Sequence, residues 1–108
     1  MANISIKRGD TFSRACTYKR DGVPFDLTGA VIVAIIRDAA GGVVDSLDVP
    51  IPSQTGINVG GYFLRKNYTA TAAWPVGAHR FNIRYTFPDG TRVTSETINL
   101  TVEKELNP

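Results

Sequence analysis

The chain has 108 residues, 43% hydrophobic and 20% charged, with 12 basic and 10 acidic side chains and a net charge of +2. That length suggests one domain, 1–108, whose folding hides roughly 60–70% of the unfolded surface, enough for a core without staples. The balanced charge excludes an argument for nucleic acid from charge alone, and the single cysteine, Cys16, excludes an internal disulfide and suits a reducing compartment. No stretch approaches the roughly 20 apolar residues that cross a bilayer, and MANISIKRGD carries charge too early for the apolar core of a signal peptide. The expectation is a chain made in the cytosol, with no membrane partner.

Apolar residues recur at period two, with turn residues between the runs, so the pattern predicts strands, no helix, and a sandwich or barrel. NISIK opens the series with Ile4 and Ile6 on one face, and Arg8-Gly9-Asp10 turns the chain. TFSRACTYK follows, with Phe12, Cys16 and Tyr18 on one face. Asp21-Gly22 is a strong hairpin sequence and Pro24 pins its exit. In the connector Phe25–Gly29, Asp26 and Thr28 can bond nearby amides, and Gly29 can take a backbone conformation that other residues avoid. AVIVAIIR is the most apolar run and is expected to be buried on both faces. VVDSLDVPI reads as an edge strand that Pro50 and Pro52 end.

SQTGINVGG is a loop, GYFLRKN a strand, and TATAAWPVG a connection closed by a turn at Trp74–Gly77. AHRFNIRYTF alternates cleanly: His79, Phe81, Ile83, Tyr85 and Phe87 face one way, Arg80, Asn82, Arg84 and Thr86 the other. TRVTSETINLTVEK is the last strand, with Ile98, Leu100 and Val102 inward. A three-residue Pro88-Asp89-Gly90 loop would set Phe81 opposite Thr97 and make the aromatic and aliphatic faces point opposite ways, because a one-residue slip inverts a strand. A two-residue Asp89-Gly90 turn, or a bulge near Ser95-Glu96, would restore Phe81 opposite Ile98. Both remain open at this stage.

Catalytic chemistry finds little to stand on. His79, the one histidine, sits in a strand pattern between apolar neighbours and reads as a partly buried strand residue rather than a base. Cys16 reads as a small buried apolar residue. Asp45 and Asp48 are the densest acidic spot, and charge on an edge strand discourages stray pairing. Gly41-Gly42 and Gly60-Gly61 precede strands, so they are turns rather than phosphate loops. The Arg-Gly-Asp tripeptide is a short chance match, and the Asn-Xaa-Ser/Thr triplets at 67–69 and 99–101 have meaning only in a glycosylating pathway. Arg80, Arg84 and Arg92 could form a positive patch, but no aromatics interleave there for base stacking, which favours a solvated or protein-contacting face. Trp74, Tyr62 and Tyr68 could offer stacking platforms to a sugar, unless Trp74 packs over the core. The expectation is no enzyme, with no catalytic, cofactor-binding or metal-ligating residues and no cofactor.

Taken together, IKRGDTF, DGVPFDLTGAVIVAIIRD, GGYFL and WPVGAHRFNIRYTFPDGTRVTSETINLTV cover nearly the whole chain. Their order resembles that of small tailed-bacteriophage and prophage proteins, and of the N-terminal immunoglobulin-like domain of the siphophage baseplate upper protein. The resemblance implies an all-β, immunoglobulin-like antiparallel β-sandwich of about seven or eight strands. It implies a virion structural protein, a tail or baseplate adaptor or a capsid or neck decoration subunit, assembled in the host cytoplasm. Its partners would be other virion proteins in many symmetric copies, without nucleic acid, membrane or small-molecule substrate. The polar ends, 1–3 and 104–108, could act as arms. A carbohydrate- or cell-surface-binding module is the alternative.

Overall fold

The computed structural model describes residues 3–106. Along them run β1 (Asn3–Lys7), β2 (Phe12–Thr17), β3 (Lys19–Arg20), β4 (Val23–Pro24), β5 (Val31–Asp38), β6 (Val43–Ser46), β7 (Gly61–Lys66), β8 (Gly77–Phe81), β9 (Ile83–Thr86), β10 (Arg92–Thr94) and β11 (Ile98–Glu103). A 3-10 turn covers Gly56–Asn58, and one helical turn, α1, covers Tyr68–Thr71. The fold is all-β with a sandwich-like arrangement of its sheets, as the alternating pattern led one to expect, and agrees with the immunoglobulin-like architecture that the resemblance implied.

The larger sheet is built around β5. Strands β8 and β9 continue one another along it in a single register, from Val31 opposite Thr86 to Asp38 opposite His79. On their far side β10 pairs β9 and β11 pairs β8. β1 closes this sheet parallel to β11, the one parallel pair among the described strands. β6 takes the remaining edge of β5, as its sequence predicts. The smaller sheet is the antiparallel pair β2–β7. Asp48 bridges to Arg65 and the Phe63 amide donates to the Pro50 carbonyl, so the chain after β6 crosses from one sheet to the other.

Between the sheets lie Ile32, Ala34 and Ile36 of β5, Phe81, Ile83 and Tyr85 of β8–β9, Leu100 and Val102 of β11, and Phe12, Tyr62 and Leu64 of the smaller sheet. Ile36 and Leu100 are fully buried. Truncating either to alanine would cost about 2–5 kcal/mol. The alternation read in AHRFNIRYTF holds residue for residue: 79, 81, 83 and 85 are buried, while 80, 82 and 84 are exposed.

Two turns explain the registers. Asp21 and Gly22 both have positive φ, 51° and 78°, the mirror-image turn that suits a two-residue hairpin. It joins β3 to β4, with Lys19 opposite Pro24 and Arg20 opposite Val23. At the last hairpin the Phe87 amide donates to Thr91 and the Gly90 amide to Phe87, so the loop has three residues, Pro88-Asp89-Gly90. That register runs through Thr94 opposite Arg84, yet Ile98 sits opposite Phe81. One extra residue is therefore absorbed between Ser95 and Thr97. A bulge settles the hairpin, and Ser95 anchors it by exchanging two bonds with Ile83.

Three expectations need correction. AVIVAIIR is not buried on both faces: Val31 and Val33 are 61% and 42% exposed, because among the described residues no element covers the outer side of β5. The connection TATAAWPVG contains the turn α1, which Asn67 nucleates by accepting the Ala70 amide at 2.8 Å. The proposed arms are partly tied down. Asn3 already belongs to β1, and Arg8 grips Glu105 with two bonds of 2.9 and 3.1 Å. Met1, Ala2, Asn107 and Pro108, the ends of those arms, lie outside the described residues.

Candidate functional site

The uncovered face of the larger sheet is where charge and apolar surface meet. Period two sends Val31, Val33, Ile35 and Arg37 of β5 outward, and Arg80, Asn82, Arg84 and Thr86 of β8–β9 outward beside them. The registers fix their neighbours. Arg37 stands opposite Arg80, Val33 opposite Arg84, Arg84 opposite Thr94, and Thr86 lies between Val31 and Arg92.

A shallow open hollow of about 320 Å³ forms on this face, lined by Val33, Ile35, Arg37, Arg80, Arg84 and Thr97 among others. The bulge helps create it, since the ladder lapses around Asn82 and Thr97, where the registers of β10 and β11 part. Among the described residues, no carboxylate comes within ion-pair distance of Arg37, Arg80 or Arg84. Arg37 donates one bond, to the Gly41 carbonyl at 3.0 Å. Like charges directly opposite on paired strands repel. The Arg37–Arg80 pair therefore costs the isolated domain stability, and a carboxylate shared between them would relieve it.

The other residues singled out in the sequence are occupied structurally. His79 is buried, with Nε2 2.6 Å from the Pro75 carbonyl, so that nitrogen carries the proton and donates. Burial pushes the Cys16 thiol up, which keeps it protonated and a poor nucleophile. Cys16 lies beside Tyr62, whose hydroxyl is 2.6 Å from that of Tyr85 in the core, and burial pushes both phenols up. Burial alone would raise the Asp45 carboxyl. The bonds it accepts from Trp74 Nε1 at 2.9 Å and from the Ser46 amide, with Lys66 Nζ 3.4 Å away, outweigh burial and hold it below its usual range. Asp48 is a looser partner of the same lysine, at 3.8 Å.

The glycine pairs are turns, as read. Gly60 is special: its φ is 80°, and a Cβ there would fall 2.6 Å from the Tyr18 carbonyl. The carbohydrate reading fails on geometry, because Trp74 and Tyr62 are 2% and 3% exposed and only Tyr68 of the three is at the surface. Arg92 joins Arg80 and Arg84 on one face, as the alternation implies. The sequence reading missed Arg37 and the outward valines, for which only the cross-strand register could speak. It also missed Arg20, whose guanidinium lies 3.8 Å from the Phe25 ring centroid and 4.7 Å from that of Phe87, closing the aromatic end of the core.

No protein-family model matches the chain, and no curated protein matches it. Among solved structures it is similar to CopC from Methylosinus trichosporium OB3b, at 15% identity and a TM-score of 0.58, over 100% of this chain and 90% of that one. The likeness is therefore to CopC and not to a phage baseplate protein. The phage resemblance, the virion function and the virion localisation are corrected accordingly. The motifs that carried them are turns and core positions: Asp21-Gly22 in its hairpin, Asp26 accepting the Thr28 amide, Trp74 in the core. Such positions report a sandwich, and a sandwich serves many functions.

At 15% identity the likeness to CopC likewise speaks for the fold alone. The side chains of this chain do not fit a copper centre. Copper sites draw on imidazole, thiolate and thioether donors. The one histidine is engaged in the core, and the one cysteine lies on the opposite sheet. Among the described residues no three His, Cys, Asp or Glu side chains cluster.

Proposed function

We propose that this domain is a non-catalytic docking module that binds an acidic, partly apolar segment of a partner protein on the outer face of its larger sheet. One observation carries the reading: an outward aliphatic stripe, exposed Val31 and Val33 with half-buried Ile35, runs beside three arginines that no carboxylate neutralises among the described residues. Exposed apolar surface rimmed by charge is the composition of a recognition patch. A second copy of the chain is a poor occupant, because a two-fold contact would set these arginines against themselves. The absence of catalysis is supported by the state of the two residues best suited to it, a protonated Cys16 thiol and a core-bound His79.

The test is amide chemical-shift mapping with a synthetic peptide of alternating glutamate and valine. Shifts confined to residues 31–37 and 80–86, weakening steeply between about 50 and 500 mM salt, support the reading. Peptide shifts that map to the smaller sheet, or no saturable binding at low salt, overturn it.

A further inference from the structure

Resting on that reading, we infer that the occupant lies in extended conformation, with carboxylates four residues apart and an aliphatic side chain midway between them. Arg80 and Arg84 project from the same face of two collinear strands, since β8 and β9 hold a single register against β5. Four residues of strand span about 13 Å. An extended ligand that places acidic side chains at i and i+4 repeats this spacing on one face, and its residue i+2 falls over the gap between them. That gap is lined by Val33, Ile35, Asn82 and Thr97.

A helix matches poorly. Its i and i+4 side chains are only about 6 Å apart along the axis. The helical position nearest the required span, i+9 at about 13.5 Å, lies on the opposite face of the helix, and the nearly in-line position, i+7, falls short at about 10.5 Å. The two ends of the site also differ. Arg80 has Arg37 and Asn99 as its cross-strand neighbours, whereas Arg84 has Val33 and Thr94. The Arg37–Arg80 end is the stronger anion site, where a carboxylate can accept from both guanidinium groups, which gives the bound segment a direction.

Nucleic acid is the competing anion. It brings phosphates without aliphatic groups, and no aromatic ring is exposed on this face to stack its bases. The aliphatic stripe therefore favours a peptide.

The experiment compares fluorescence anisotropy of three probes on the full chain. One peptide carries two glutamates four apart around a valine. The second has the same composition with the glutamates adjacent. The third probe is a 12-nucleotide single strand. Each exposed arginine–carboxylate pair is worth up to about fivefold in affinity, so the spaced peptide, which gains one such pair, should bind about two- to fivefold tighter than the clustered one. Arg84→Gln should erase that preference while leaving residual binding, with unchanged Trp74 fluorescence as the control for folding. Arg80→Gln should weaken both peptides more than Arg84→Gln does. Equal binding of the two peptides would overturn the extended, spaced occupant while leaving the docking face standing. Failure of both peptides to bind, or tighter binding of the single strand, would overturn the docking reading as well.

Discussion

Removing the Asp45 carboxylate tests how the edge of the larger sheet is fastened to the core. One oxygen accepts from the indole of Trp74, which is 2% exposed, and the other lies 3.4 Å from Lys66. In Asp45→Ala the indole N–H loses its partner in a buried setting. A hydrogen bond to a charged group contributes about 1.5–3 kcal/mol. The lysine pair is partly solvated and adds at most about 1 kcal/mol. The expected loss is about 2–3 kcal/mol, or roughly 10–20 °C in Tm for a domain of this size. Asp45→Asn keeps an acceptor for the indole and should lose about half as much.

Urea denaturation followed by Trp74, the one tryptophan, measures both variants, and an unchanged m-value would show that a stability difference is being read. The pH dependence supplies an independent check. The folded carboxyl titrates below its unfolded value of about 3.9. Its contribution is therefore fully present above that pH and is lost as pH falls through the lower folded value. The gap between wild type and Asp45→Asn should stay constant from pH 7 to about 4.5 and shrink below about 4. A loss under about 0.5 kcal/mol in Asp45→Ala, or a gap that persists into acid, would refute the assignment of this carboxylate as the fastener.

Two further outcomes follow from the core and its junctions. Tyr62→Phe leaves the Tyr85 hydroxyl buried without its partner and should cost about 1–3 kcal/mol, whereas adding Tyr85→Phe should cost less than the sum of the two single changes, as a double-mutant cycle in urea would measure. Gly60→Ala meets both a positive φ and a backbone oxygen 2.6 Å away, and should cost more than about 2 kcal/mol; Gly22→Ala, with a similar φ but open space around it, should cost only about 1 kcal/mol in the same melts.

The strands were legible because local rules set them. Period two named both faces of β8–β9, and Asp21-Gly22 named its hairpin through the positive φ that such turns demand. The structural role of His79 was legible for the same reason, since it follows from position within an apolar pattern, whereas the burial of Trp74, at a turn, was left open. The candidate face was half legible. Arg80, Arg84 and Arg92 showed as a patch, but their aliphatic neighbours did not.

A run such as AVIVAIIR is apolar on both faces, and no sequence pattern says whether a second layer covers the outer one. Packing decides that, and here the second layer covers only one side. The one-residue bulge at 95–97, the opposition of Arg37 and Arg80, the parallel docking of β1 on β11 and the bond from Trp74 to Asp45 were likewise decided by tertiary structure alone. Each joins residues from different strands, whose mutual register depends on the free energy of the whole assembled sheet rather than on any segment of it.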